Sequence, residues 1–207
     1  MKTMQKKIDE GRQYRDIREI RALNDEEFIV EGYATTFNQP YVLWEEDGFK
    51  IMEQVDAHAF DNCDMGDVIM QYDHEGRVFA RTSNGTLTVT PDEHGLRIRA
   101  NLGGTAIGRQ LYEEIKGGYT DKMSFGFTVS SDVRTETNEG NETVVLRTIT
   151  GIGKLYDVSA VSLPANNATE ISARSYSDGV IAELTEERRK SAEIERQKQK
   201  IKILLNL

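Results

Sequence analysis

Between residues 27 and 163 the apolar residues come in short runs, many with a period of two, and most runs end at a turn signal. That pattern calls for short paired strands. "EFIVEGYATTF" (27–37) and "FKIMEQV" (49–55) are rich in β-formers, and "DVIMQYD" (67–73) is short and apolar, as a buried strand is. "GLRIRANL" (95–102) sets Leu96, Ile98, Ala100 and Leu102 against polar neighbours, which predicts a half-buried strand. "VFARTSNGTLTVT" (78–90) reads as a hairpin, with Asn84-Gly85 supplying a type I′ turn. "KMSFGFTVS" (122–130) points Met123, Phe125, Phe127 and Val129 one way and Ser124, Gly126, Thr128 and Ser130 the other. "SDVRTETNEGNET" (131–143) reads as a polar loop, then "VVLRTITG" (144–151) and "KLYDVSAVSL" (154–163) as two more strands.

Helices are few. "DAHAFDNCD" (56–64) predicts a short one capped by Asp56. "GTAIGRQLYEEIKGG" (104–118) is the best in the body: Thr105 caps it, Ile107, Leu111 and Ile115 recur every four residues, and Gly117 stops it. Seven or eight strands with one solid helix predict a mainly β (α+β) fold, a closed or nearly closed β-barrel with helices outside it. The expected division is a charged lead-in over 1–27, a barrel domain over 28–176 and a helical, charge-rich tail over 177–207. The tail's apolar positions are sparse until Ile201, so it is not expected to bury itself in the main core.

Charge and composition exclude several classes. The net charge is −9, and residues 31–176 alone carry 12 basic and 22 acidic side chains, which argues against broad nucleic-acid binding. No apolar run reaches the roughly 20 residues of a membrane helix, and no secretory signal is read at the charged N-terminus. The single cysteine, Cys63, excludes an internal disulfide framework and fits a reducing compartment. It is a poor nucleophile, because Asp61, Asp64 and Asp67 around it disfavour the thiolate. No zinc motif and no phosphate-binding glycine pattern is present, so neither a metal nor another cofactor is called for.

Three residues remain as chemical candidates. His74 ends the apolar strand of "VIMQYDHEGRV", where a strand fixes a base and a loop admits substrate; it reads equally as a loop histidine paired with Asp73 or Glu75, and with those two as a weak metal site. His58 reads as a helix-surface or packed histidine, and His94, in "TPDEHGL", as a solvated turn residue. Ser124 is either an ordinary serine on the wet face of its strand or a nucleophile, and the second needs a neighbouring base. Asp157 sits on a largely apolar strand face and must be paired there, with a histidine or with an arginine or lysine.

Four stretches in fixed order resemble the prohead proteases of tailed phages: "GYATTFN" (32–38), "VIMQYDHEGRVFAR" (68–81), "GGYTDKMSFGF" (117–127) and "LYDVSAVSLPANNATE" (155–170). The resemblance spans about residues 28 to 175, and the combination is what makes it specific. That family is similar in fold to the herpesvirus assemblins, serine proteases built on a β-barrel wrapped by helices. The resemblance implies a serine endopeptidase with Ser124 as nucleophile, His74 as base and Asp157 as third member, where many relatives carry Glu. It places the oxyanion-hole amides in "PANNA", at Ala165 and Asn166. It implies partners, the major capsid protein and the scaffold inside the assembling prohead, in the host cytoplasm. Cleavage of the chain itself also fits. Assemblins gain activity by dimerising, which admits a homo-oligomer here too. The rival reading is a non-catalytic capsid-assembly or scaffold protein that uses the barrel as an interaction module. The tail stretch 188–202, with seven basic and two acidic residues, suits a targeting or scaffold-like extension that docks on an acidic partner.

Overall fold

The computed structural model describes residues 13–17, 20–46, 48–140, 142–162 and 167–205. In chain order the elements are β1 (Gln13–Ile17), β2 (Ile20–Asn24), β3 (Ile29–Thr36), β4 (Tyr41–Glu46), β5 (Phe49–Val55), β6 (Ile69–Tyr72), β7 (Glu75–Arg81), β8 (Leu87–Pro91), β9 (Gly95–Asn101), α1 (Ala106–Lys116), β10 (Lys122–Glu139), β11 (Glu142–Val161) and α2 (Asn167–Leu205). Seven strands form one sheet in the order β1-β10-β11-β5-β4, with β6 paired to β11 and β7 to β6. The other four form a second sheet, β2-β3-β9-β8.

The mainly β expectation holds, with two helices. Among the described residues the strands do not close into a barrel, because β7 bonds only to β6 while β8 crosses to the second sheet and bonds to β9. The hairpin expected over 78–90 is therefore absent. Thr82–Asn84 make a single 3-10 turn instead, and Gly85 takes the left-handed conformation (φ 76°) that redirects the chain. Residues 56–62 make successive turns rather than a helix, the first held by Asp56 Oδ1 accepting from the His58 N–H. Two strands, β1 and β2, lie inside the stretch expected as a lead-in.

β10 and β11 organise the body. They pair antiparallel from Lys122↔Val161 to Glu139↔Glu142, so the expected polar loop over 131–143 is mostly strand. β-formers such as Val133, Thr135 and Thr137 pair there with Thr148, Leu146 and Val144. Register shifts between Gly126 and Asp132 bend this ribbon. On its other edge β11 takes two parallel partners in succession, β5 along Thr143–Ile149 and β6 along Asp157–Ala160.

One apolar core draws on both sheets. Val30, Leu96, Ile98 and Ala100 come from the smaller sheet, and Met70, Phe125, Phe127, Leu155 and Val158 from the larger. β9 follows its sequence pattern, with Leu96, Ile98 and Ala100 inside and Arg97 and Arg99 outside. α1 buries Leu111 and Ile115, and Thr105 Oγ1 caps it by accepting from the Gly108 N–H at 3.0 Å. Gly117 keeps right-handed geometry, and Gly118 (φ 73°) makes the left-handed exit. Part of α2 is buried apart from that core: Val180 and Leu184 pack on Ile51 and Val145 in a second, smaller cluster. From Arg188 to Gln199 every residue of α2 is exposed.

Candidate active site

β6 and β7 are joined by two residues, Asp73 (φ 48°) and His74 (φ 60°), with Tyr72 and Glu75 paired across the turn. Two successive left-handed residues are the signature of a type I′ turn. Neither is glycine, so the conformation is held at roughly 1–3 kcal/mol per residue and must be over-determined by its surroundings. β11 supplies the restraint. The Asp73 N–H donates to the Ala160 carbonyl at 3.0 Å, and Asp73 Oδ1 accepts from the Ser162 N–H at 3.0 Å. The Ser162 hydroxyl also donates to Asp73 Oδ2 at 3.0 Å.

That turn sets His74 over the two central strands. His74 Nδ1 lies 2.6 Å from Asp157 Oδ1 on β11, and Nε2 lies 2.6 Å from Ser124 Oγ on β10. An ionised carboxylate only accepts, so Nδ1 carries the proton toward Asp157. In the neutral ring Nε2 is then the acceptor, and the Ser124 hydroxyl donates to it. Ser124 and Ser159 are direct cross-strand partners, and Asp157 stands opposite Gly126, whose lack of a side chain leaves room at that point. The Ser159 hydroxyl donates to Asp157 Oδ1 at 2.7 Å.

Ser124 and Asp157 have no exposed surface, and the His74 side chain is 5% exposed. The strand that carries Ser124 is anchored from its other face. Phe125 and Phe127 stack at 4.4 Å with 11° between their planes, both are fully buried, and Phe125 also meets Phe60. Alternation places Ser124 opposite these phenylalanines as expected, but its side of the strand is covered rather than wet.

Other candidates are placed elsewhere. His58 is largely exposed beside Asp61, and His94 sits in a turn held by Asp92, edge-on to Tyr33. Cys63 is half-buried. Burial first, and the nearby Asp64 carboxylate, push its thiol up to about 11, which suppresses the thiolate. His74 commits both ring nitrogens and Asp73 is bonded to Ser162, while no group of three metal-binding side chains occurs among the described residues. Ala165 and Asn166 lie outside the described residues. Ser159 and the Asp73–Ser162 bond were not singled out from sequence. Ser159 had a readable signal, since it lies two residues from Asp157 on the same strand face.

The family model for the caudovirus prohead serine proteases matches residues 15–180. The chain belongs to that family. The match runs from β1 to the first part of α2 and contains Ser124, His74 and Asp157. No curated protein and no solved structure matches the chain. As a prohead protease it is a hydrolase of the serine type that serves phage capsid maturation, acting on capsid proteins within the assembling prohead of the host cell. No helix among the described residues is long and apolar enough to cross a membrane.

Proposed function

We propose that Ser124, His74 and Asp157 are the catalytic triad of an endopeptidase. It cuts the capsid scaffold, or the scaffold-like region of the major capsid protein, and also cuts itself. The observation that carries the reading is the single imidazole held 2.6 Å from a carboxylate on one side and 2.6 Å from a hydroxyl on the other. Catalysis then runs as acyl transfer. Ser124 Oγ attacks the peptide carbonyl carbon as its proton moves to His74 Nε2. Asp157 keeps Nδ1 protonated and stabilises the imidazolium that forms. His74 next gives its proton to the departing amine, which leaves an acyl-Ser124 ester. Water, deprotonated by the same nitrogen, hydrolyses the ester and restores the hydroxyl. Backbone N–H groups at Ala165 and Asn166 stabilise the oxyanion in this reading.

The reading retains the likeness to the herpesvirus assemblins that the motif order suggests; the two-sheet, mostly β body is compatible with it. It also gives the tail, 177–207, a targeting or scaffold-like role. Co-expression with the capsid and scaffold proteins is the test. Ser124→Ala and His74→Ala each leave them uncut, and normal processing by Ser124→Ala would falsify the assignment. Intact masses of the purified wild type and Ser124→Ala test self-cleavage, which requires that they differ by more than the one oxygen atom the substitution removes.

A further inference from the structure

We infer that the cleft between β7 and α1 is a substrate subsite on the leaving-group side of Ser124, and that it takes a lysine or arginine side chain of the peptide. The inference rests on the peptidase reading above. The cleft encloses about 640 Å³, and Asp73 and Glu75, the residues on either side of His74, both line it. Its wall is therefore the same tight turn that holds the base. His74 itself reaches the other way, to Ser124. A peptide that lies across Ser124 and runs past His74 is carried over that turn toward the cleft. The direction follows from the chemistry. The base must deliver its proton to the departing amine, so the residues after the scissile bond run past His74. β7 pairs only with β6 among the described strands, so its second edge carries no strand partner.

The lining selects an amphipathic cation. Tyr72, Phe79, Ile107 and Leu111 supply an apolar floor. Glu75 and Glu114 join Asp73 as three carboxylates, against the single guanidinium of Arg77. The Asp73 carboxylate is occupied by Ser162, and the Glu114 carboxylate accepts only from the Gln110 side chain at 3.1 Å among the described residues. Glu75 is exposed, and its carboxylate makes no hydrogen bond or ion pair among the described residues. A lysine or arginine lays its methylene stem on such a floor and brings its charge to the carboxylates, with the Tyr72 and Phe79 rings adding a cation–π surface. An acidic side chain meets like charge there.

A randomised synthetic peptide library digested by the full-length protein, with Ser124→Ala as the blank, tests this by mass-spectrometric reading of the cut sites. Lysine and arginine are expected to be enriched at least fivefold within three residues after the cut. On matched peptides carrying lysine or norleucine at that position, the wild type prefers lysine through KM. The Glu75→Gln/Glu114→Gln double variant loses at least threefold of that preference, and Glu75→Asp/Glu114→Asp regains part of it. Ser124-dependent cutting with no basic enrichment on that side, or with an enrichment that the double Gln variant leaves intact, overturns the inference and spares the peptidase reading. No Ser124-dependent cutting at all overturns both.

Discussion

The β10–β11 ribbon borders two buried charge clusters, one at its Ser124–Asp157 end and one around Glu53 along its middle, and they use charge differently. At the near end Asp157 accepts from the His74 ring and the Ser159 hydroxyl. In the second cluster Glu53 accepts from two guanidiniums, Arg15 and Arg147, and from the Tyr41 hydroxyl. Arg147 also binds Asp132 at 2.6 Å, and both Arg147 and Arg15 touch Gln13. Burial by itself pushes the Glu53 carboxyl up. The Arg15 charge above all, then Arg147 and Tyr41, overcome that and hold it at about 2. The same burial, and then the Glu53 charge, push the Tyr41 phenol well above its ordinary value. A carboxylate saturated by permanent cations is fixed as an anion and serves only to hold strands together. A carboxylate held against a titratable ring can steady a proton that comes and goes. On the proposed reading the near end serves chemistry and the Glu53 cluster serves rigidity.

Exchanging the kinds of damage tests that contrast. Ser124→Ala or His74→Ala is expected to cut kcat/KM about a millionfold while leaving the denaturation midpoint near wild type. Asp157→Asn follows, at about ten-thousandfold, since the ring loses its orienting anion. Glu53→Gln reverses the pattern. It leaves two buried guanidiniums short of an anion and is expected to lose about 3–5 kcal/mol of stability in urea titrations. Ser124 of the folded remainder should still take an acylating reagent at the wild-type rate. The contrast breaks if Glu53→Gln is as stable as wild type or if Ser124→Ala is not.

Acid sharpens the contrast at Glu53. The folded pKa of Glu53 lies below its unfolded value of about 4.5. Its contribution is thus fully present above that pH and is lost as pH falls toward 2. Midpoints measured from pH 6 to 2 should fall less steeply in Glu53→Gln than in wild type. The smallest effect is expected at Ser159→Ala. Losing one neutral hydrogen bond to Asp157 should lower kcat about tenfold with KM unchanged, and a change in KM alone would contradict the orienting role.

The near end was the more legible in sequence. Ser124, His74 and Asp157 stand in motifs whose order carries the family, and strand alternation put Ser124 opposite Phe125 and Phe127. The turn that aims His74 was not legible, because turn chemistry points to Asn84-Gly85 and not to Asp73-His74. The turn is held instead by bonds that join Asp73 to Ala160 and Ser162, nearly ninety residues on, and His74 to Ser124 and Asp157. β1 was hidden for a similar reason. "QYRDI" has no apolar alternation, and its Arg15 is satisfied by Glu53, 38 residues away. The far half of the ribbon looked like a loop since its polar side chains are answered by residues distant in sequence. Arg134, for example, meets Glu183 of α2.

The sealing of the triad has a kinetic meaning. A carbonyl carbon cannot come within bonding range of a hydroxyl that water-sized spheres do not touch. On the proposed reading each turnover then begins with a molecule that has momentarily opened, and the measured rate is the chemical rate multiplied by the fraction in that state. Every 1.4 kcal/mol that favours closure slows the enzyme tenfold without altering a single catalytic atom. Two reagents of very different intrinsic reactivity would then label Ser124 in the ratio of their reactivities at low dose. At high dose they would converge on one common ceiling, the opening rate itself, and that ceiling is the clock by which such a protease waits.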